Sequence, residues 1–439
     1  MNRTLSVLLI LTLLFLPLVS GCSKSDFKAN KSKVELENTT SPESQTIVKL
    51  RVSGFKSGSE IGAIPQINEQ FMKENPTIKV TYEGMPGAQY SEFIKSKFAT
   101  NDASDVIMLN PGISSVGSYS KAGFIRDLSD QPWIKDFTPS VIEAISINGK
   151  IYGTPNEMVV LGVYYNKEIF TKLALKTPTN WDEFLAVCEA IKSEGLTPIS
   201  IGNNDGWMTL AALYSMGSSL IKDPDFDKKI NARSTKFNGT WNEMVNQWFS
   251  LNDKGYLTPK STSISLDQAQ KDFVGGKAGM YIDGSWSLAG LLKINPNMKL
   301  GMFAMPANKA GEETVVSASI GTTWTINART KNLAAAQLYL AYWAKKATLM
   351  EWAKSQASFI TLKDVTSDIA PELSEISHSL ATGKSHSYLS TYWEQSEAAQ
   401  NEMMASAQGV YLKAVTIDQM LTNMDNAWDR AVKQEEQQK

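Results

Sequence analysis

The chain has 439 residues, of which 42% are hydrophobic and 20% are charged, with a formal net charge of −2. This length exceeds what one simple hydrophobic core usually serves and favours two domains, and the composition is that of an ordinary globular protein. The small negative charge offers no basic excess to hold nucleic acid, and beyond residue 21 no apolar run is long enough to cross a bilayer.

The first 21 residues have the pattern of a signal peptide. A positive start containing Arg3 precedes an apolar run over residues 5–19, which is too short for an ordinary membrane-spanning helix. The run leads through Val-Ser-Gly into Cys22, and this resembles the lipobox of bacterial lipoproteins. The resemblance implies cleavage before Cys22, a diacylglycerol on its sulfur, and a protein anchored at the extracellular face of the cell membrane. An ordinary secretory signal with an incidental cysteine is the alternative.

Residues 22–46 are rich in Ser, Lys, Asn, Glu and Thr, and we expect them to form a disordered tether. Strands then alternate with helices, which predicts a doubly wound α/β fold. Strands are predicted at 47–52, 78–82, 105–109, 161–165, 198–201 and 278–282, and helices at 64–74, 90–100, 167–173, 180–194, 334–354 and 394–433. Thr179 is the expected N-cap of the helix that ends at Glu194.

Metal, thiol and nucleotide chemistry have little support in the sequence. The two histidines, His378 and His386, do not have the spacing of a zinc site. Cys188 lies in a helical pattern and is expected to be a small buried residue. A Gly-x-x-x-x-Gly-Lys-Ser/Thr phosphate loop is absent, so we expect no ATP hydrolysis, and no cofactor, by this chain. The enrichment that stands out is aromatic, with 11 Trp, 14 Tyr and 16 Phe, and it indicates flat apolar faces used for binding.

Several short segments resemble, in order, the extracellular solute-binding proteins that serve ABC importers for sugars, the maltose-type family 1. The segments are residues 71–80, 104–107 (with Ser104 in place of the usual Pro), 149–155, 164–170, 179–184, 273–280 and 283–286. They run in the family's order over most of residues 47–360. The lipobox and tether agree with the resemblance, since Gram-positive members of the family are typically lipoproteins.

The resemblance implies a periplasmic-binding-protein-like fold with two discontinuous α/β lobes. The N-terminal lobe would take residues 47–156 plus 318–360, and the C-terminal lobe residues 157–317 plus 361–435. The chain would cross between the lobes near 155–160, 315–320 and 358–362. A monomeric receptor of this kind binds its ligand in the cleft, closes by a hinge motion and docks on a membrane permease.

A sugar ring has apolar faces and a rim of hydroxyls, so its site needs aromatic planes and polar acceptors. Trp286 is the first candidate, since Gly284 permits a sharp turn after a predicted strand and the family resemblance implies stacking there. The further ligand-binding candidates lie at strand ends, at crossings or in polar loops: Phe55, Ser57, Glu60, Asn110, Asn156, Glu157, Trp207, Asp283, Gly321, Trp324 and Trp393. A turn, a solvated charge or plain packing is the alternative role at each of them. The remaining aromatics in helical patterns are expected to be packing residues: Trp241, Trp248, Trp343 and Trp352.

Three functions are compatible with these residues. The first is a carbohydrate receptor without catalytic activity. The second is a receptor of the same fold for another solute, such as a polyamine, an organic acid or an iron complex. The third is a surface-tethered glycoside hydrolase, which would use two carboxylates.

Overall fold

Strands and helices alternate along most of the chain. The computed structural model describes residues 46–437 apart from 205, 366–368, 383 and 388–389, so Cys22 and the expected tether up to residue 45 lie outside the described residues. The strands are β1 (Val48–Gly54), β2 (Ile78–Gly84), β3 (Val106–Leu109), β4 (Ser146–Ile147), β5 (Lys150–Ile151), β6 (Gly153–Pro155), β7 (Met158–Asn166), β8 (Thr197–Ser200), β9 (Ala278–Gly284), β10 (Leu300–Phe303), β11 (Val315–Ile320), β12 (Thr323–Ile326) and β13 (Lys384–His386).

The helices carry most of the remaining residues. They are α1 (Ile64–Glu74), α2 (Gly87–Ala99), α3 (Ser118–Lys121), α4 (Pro139–Ile145), α5 (Lys167–Lys172), α6 (Trp181–Ser193), α7 (Trp207–Leu220), α8 (Phe226–Asn231), α9 (Asn242–Asp253), α10 (Leu266–Val274), α11 (Ser287–Ile294), α12 (Leu333–Trp343), α13 (Lys346–Ser355), α14 (Ser374–Thr382), α15 (Ser396–Tyr411) and α16 (Ile417–Gln437). Short helical turns occupy Gly58–Glu60, Ile113–Gly117, Pro132–Asp136, Ser261–Ser263 and Pro371–Leu373.

The first sheet has the strand order β2-β1-β3-β12-β6. β1 pairs in parallel with β2 and β3, and β12 is antiparallel to both β3 and β6. The short apolar strand β3 is buried along its whole length, as a strand covered on both faces should be. We call this sheet with α1–α4, α12 and α13 the first lobe, because their buried side chains form joint cores.

The second sheet has the order β13-β11-β7-β9-β8, with β10 paired to β7. β7 is antiparallel to β9, β10 and β11, whereas β8 and β9 run in parallel. Its side chains form one large core with α5–α11 and α14–α16, and we call this set the second lobe. The two-lobed α/β fold expected from the sequence is confirmed, although both sheets are mixed rather than purely parallel.

The predicted long helix over 334–354 is wrong, because the structure has two helices there. Lys345 takes an extended conformation, with φ −64° and ψ 140°, between α12 and α13. Trp343 and Trp352 enter the same core on the two sides of this break, with ring centroids 5.4 Å apart. Since the apolar spacing continues and no Gly or Pro marks the break, the pattern resembles one helix. The predicted helix over 394–433 is likewise divided, between Tyr411 and Ile417.

The predicted N-cap of α6 is displaced by one residue. The Asn180 side chain accepts a hydrogen bond from the Glu183 backbone N–H at 3.1 Å. Thr179 instead donates its own N–H and hydroxyl to the Glu183 carboxylate, at 2.8 and 2.9 Å. Either residue type caps a helix well, so the sequence alone did not discriminate between neighbours.

The expected packing residues behave as predicted: Trp241, Trp248, Trp343, Trp352 and Cys188 are all fully buried. Burial raises the pKa of the Cys188 thiol, which therefore stays protonated at neutral pH. In the part of the chain that the structure describes, no helix combines the length and the apolar character needed to cross a bilayer.

Candidate functional site

One edge of the first sheet gathers the ends of several strands. β1, β3 and β6 run in the same direction and end at Gly54, Leu109 and Pro155, and β12 begins beside them because Thr323 is opposite both Leu109 and Pro155. Phe55 and Asn110 follow directly at this edge. Strand ends of an α/β sheet are a common position for ligand-binding side chains, since the backbone there is released from the ladder.

The second sheet presents a similar edge. β7 begins at Met158, which lies opposite the last residue of β11, Ile320. β9 ends at Gly284 beside Leu161 of β7, and β8 runs parallel to β9 and ends on the same side. Trp207 and Trp286 follow the ends of β8 and β9 respectively.

Three short segments join the two edges. Residues 156–157 link β6 to β7, and residues 321–322 link β11 to β12. In the third segment Phe359 exchanges backbone hydrogen bonds with Met158, at 2.8 and 2.9 Å, while Leu362 bridges to Phe137 of the first lobe. These three segments therefore bring the strand-end edges of the two sheets close to each other. The predicted lobe boundaries stay a prediction in detail; β11 pairs with β7 as far as Ile320, slightly beyond the predicted boundary after residue 317.

An aromatic pair lies on the second-lobe edge. The Trp207 and Trp286 rings are partly exposed, with centroids 6.4 Å apart and planes at 43°. Gly284 makes room for one ring, because a Cβ on it would lie 2.1 Å from the Trp286 six-membered ring. Gly206, in the left-handed region at φ +79°, precedes Trp207, and a Cβ on it would come within 2.7 Å of Met404. Gly284 thus leaves space for the Trp286 ring, and Gly206 lets the chain pass close to Met404 just before Trp207.

Asp283 holds the turn that carries Trp286. It is fully buried, and it accepts hydrogen bonds from the hydroxyls of Tyr281 and Ser287 at 2.7 and 2.6 Å and from the Gly284 N–H at 2.8 Å. Burial raises the pKa of this carboxyl, against the lowering effect of the three donors. The charge of Glu60, on the first lobe, also raises it. The Asp283 carboxylate is thus engaged by three donors inside the protein, all within four residues along the chain.

Glu157 and Asn156 form a hydrogen-bonded hinge with the neighbouring crossing. The buried Glu157 carboxylate accepts from the indole N–H of Trp352 at 2.5 Å and from the Thr322 hydroxyl at 3.0 Å. The Asn156 amide donates to the Thr322 hydroxyl oxygen at 3.0 Å. Gly321 donates its N–H to the Glu157 carbonyl at 2.9 Å, and a Cβ on it would lie 2.4 Å from the Glu157 carboxylate. The Glu157 carboxylate and the Asn156 amide are thus both hydrogen-bonded within this cluster.

The pKa of Glu157 is raised from the ordinary 4.5 to about 7. Burial is the largest cause, since a charge is poorly solvated in the interior. The Trp352 indole, the charge of Lys56 and the Thr322 hydroxyl act in the opposite direction. A carboxyl of this kind changes its protonation close to neutral pH.

The first-lobe loop after β1 faces the same region. Lys56 is buried, its ammonium lies 3.7 Å from the Glu60 carboxylate, and its carbonyl accepts from the Tyr82 hydroxyl at 2.7 Å. Phe55 is partly exposed and packs edge-on against Tyr90 with centroids 6.0 Å apart. Three polar candidates of this lobe have exposed or partly exposed side chains: Ser57, Glu60 and Asn110.

The structure places Trp324 and Trp393 in the two cores and not at the strand-end edges. Trp324 is fully buried in the first core, where its ring lies 5.2 Å from that of Trp343. Trp393 is fully buried in the second core, and its indole N–H donates to Asp227 at 2.7 Å. Trp324 was a candidate because it flanks the second crossing, and its stated alternative was strand packing. Trp393 was a candidate because of its polar sequence neighbours, but its ring lies in a core.

Sequence reasoning placed Thr322 at the second crossing, missed Lys56, and assigned Trp352 to packing only. Lys56 follows the named candidate Phe55 directly, so closeness in sequence was the one available signal for it. The indole hydrogen bond of Trp352 joins residues 195 positions apart and has no local signature. Among the described residues no three His, Cys, Asp or Glu side chains cluster in a way that could hold a metal ion.

Comparisons with known proteins agree with this architecture. Residues 57–350 match the family of bacterial extracellular solute-binding proteins. The multiple sugar-binding protein of Streptococcus mutans is 26% identical, covering 87% of this chain and 88% of that protein. The melibiose/raffinose/stachyose-binding protein of Bacillus subtilis is 24% identical, covering 84% of this chain and 83% of that protein.

Solved structures are similar in fold. RafE in complex with raffinose has a TM-score of 0.75 at 23% identity, covering 87% of this chain and 99% of that chain. A chitin oligosaccharide binding protein has a TM-score of 0.78 at 20% identity, covering 88% of this chain and 99% of that chain. At these identities the likeness speaks for the two-lobed fold.

Proposed function

Because the chain belongs to the family of bacterial extracellular solute-binding proteins, we propose that it is the receptor of an ABC importer and captures a sugar or short oligosaccharide between its lobes. The ligand-loaded protein then delivers the sugar to the membrane permease. The relatives of this chain are binding proteins, so we assign it a binding role and no catalytic step.

The observation that carries the choice of a sugar is the pair Trp207 and Trp286. Two partly exposed indole planes on one edge of the cleft suit the apolar faces of sugar rings. Across the cleft Asn110, Ser57 and Glu60 offer the donors and acceptors that ring hydroxyls need. We therefore place Trp207, Trp286, Phe55, Ser57, Glu60 and Asn110 in direct contact with the ligand.

Glu157, Asn156, Gly321 and Asp283 have a positioning role in this proposal. They hold the hinge and the Trp286 turn, so that the two edges meet in one relative orientation. Ligand contacts made by both lobes favour the closed arrangement, because ligand binding can shift the lobes only by its difference in affinity for the open and closed states.

Anchoring through Cys22 is a separate part of the proposal. A lipid on this cysteine would keep the receptor near its permease, where the effective concentration is high. Mass spectrometry of the protein from the membrane fraction tests it: a diacylglyceryl-modified N-terminal Cys22 is expected. An unmodified or missing Cys22 would remove the anchor and leave the sugar site untouched.

The binding test is a thermal-shift screen with raffinose, stachyose, melibiose and maltodextrins, followed by titration calorimetry of each sugar that raises the melting temperature. A ligand at about 100 times its dissociation constant should stabilise the protein by about 2.7 kcal/mol. A panel of polyamines, organic acids and iron complexes tests the other solute classes. Release of new reducing ends from any oligosaccharide would favour the hydrolase instead.

The variant W286A then tests the site itself. Loss of the stacking plane should weaken sugar binding by roughly 2–4 kcal/mol. The matched control is W181A, because Trp181 is also a partly exposed indole at a helix start of the second lobe, stacked on Phe184 at 5.6 Å. Unchanged affinity in W286A, or equal losses in both variants, would remove Trp286 from the site.

A further inference from the structure

The two lobes also meet at a place that uses none of the three crossings. The Ile113 N–H, on the first lobe after β3, donates to the Thr391 carbonyl of the second lobe at 3.0 Å. Gly112 makes this approach possible: it has φ +108°, and a Cβ on it would lie 2.4 Å from the same carbonyl oxygen. Any side chain at position 112 would separate the two backbones.

Two ion pairs flank this backbone contact. Lys95 of α2 lies 2.6 Å from Glu397 of α15, and Lys121 of α3 lies 2.5 Å from Glu435 of α16. Gln395, which directly precedes α15, donates to Glu435 of α16 at 3.0 Å. In both pairs the cation belongs to the first lobe and the carboxylate to the second, so the charges attract the lobes toward one another. We call the Ile113–Thr391 contact and the two ion pairs the rim contact.

We propose that the rim contact is a latch that holds the lobes closed and sets how long they stay closed. All of its bonds join the two lobes, so every one must break when the cleft opens. Each ion pair is largely exposed and should change the closed-to-open ratio only roughly two- to fivefold. The backbone contact requires a glycine at position 112. The two ion pairs make closure sensitive to salt, because salt screens exposed charges. Only the biological role of the latch rests on the proposed function, because closure of the lobes can be measured without a sugar.

The test is small-angle X-ray scattering of the ligand-free protein at about 20 mM and about 500 mM salt, where the screening length differs severalfold. Wild type at low salt is expected to give the more compact curve, and high salt should expand it. K95E and G112V should both give the expanded curve at low salt. Lys95 also pairs with Glu92 of its own helix at 3.3 Å, so the charge swap K95E/E397K is made together with E92Q. It should restore the compact curve, because it rebuilds the pair between the lobes with reversed signs. K73E is the matched control, since Lys73 pairs with Glu69 inside α1 at 2.9 Å.

The outcomes separate the latch from the receptor. Curves that do not change with salt, or that are equal for wild type and K95E, overturn the latch, as does a swap that fails to restore compactness. Thermal melting of each variant identifies misfolding, and if G112V is misfolded the charge swap alone decides. Sugar binding with unchanged curves removes the latch and keeps the receptor. Latch variants that expand in a protein that binds no sugar remove the receptor and keep the latch.

Discussion

The variant E157Q should remove a pH dependence of stability that the hinge carboxyl creates. Burial raises the folded-state pKa of Glu157 to about 7, against an ordinary 4.5. Below both values the carboxyl is protonated in the folded and in the unfolded chain, so it causes no change of the free energy of unfolding with pH. As pH rises from 4.5 toward 7, the unfolded chain releases the proton first, so the free energy of unfolding falls across this window. Above it the loss is complete, at about 3 kcal/mol, since one pKa unit corresponds to about 1.4 kcal/mol.

Urea unfolding at a series of pH values from about 5 to about 8.5 measures this difference. The glutamine carbonyl can still accept from Trp352 and Thr322, and it does not ionise. The free energy of unfolding of E157Q minus that of the wild type should therefore rise by up to about 3 kcal/mol across the window. The contributions of the other titrating groups cancel in this difference. Glu83 is exposed, so E83Q is the matched control for replacing a glutamate by a glutamine outside the buried cluster. If the difference for E157Q does not change with pH, the raised pKa of the buried Glu157 carboxyl is refuted.

Two other substitutions test the positions of the rings. G284A places a Cβ against the Trp286 ring, so titration calorimetry should show a roughly tenfold, or about 1.4 kcal/mol, loss of sugar affinity; unchanged affinity would mean that the ring does not need this space. W393F removes the hydrogen bond to Asp227, so the free energy of unfolding in urea should fall by about 1–3 kcal/mol while sugar affinity stays unchanged. A variant of unchanged stability with weakened sugar binding would place Trp393 in the site.

The sequence predicted the fold well where the signals were local. The buried strands β3 and β9 stand close to their expected positions because short apolar runs bounded by turns have few alternatives. The break at Lys345 was not predicted, since it depends on how Trp343 and Trp352 share a core and not on a helix-breaking residue. Local patterns specify elements, whereas packing between distant residues specifies where they end.

The candidate site was predictable in its location more than in its roles. Placing candidates after strand ends and at crossings brought Trp207 and Trp286 together, which their spacing in sequence does not indicate. The same reasoning did not foresee that the Trp324 and Trp393 rings are fully buried, because position along the chain and residue type do not reveal whether a ring lies at a surface or in a core. The burial of Glu157 could not be predicted either, because its partners Trp352 and Thr322 are far away in the chain.

The buried thiol of Cys188 has a practical use. Thiol reagents attack exposed thiolates, and this one is fully buried with a raised pKa, so they should bypass it. In a protein whose Cys22 carries a lipid, one cysteine introduced at the exposed Asn401 of α15 would then take a fluorophore selectively. Asn401 lies about one turn before Met404, which packs beside Gly206 at the start of α7. A polarity-sensitive dye there would turn the proposed receptor into an optical sensor for its sugar.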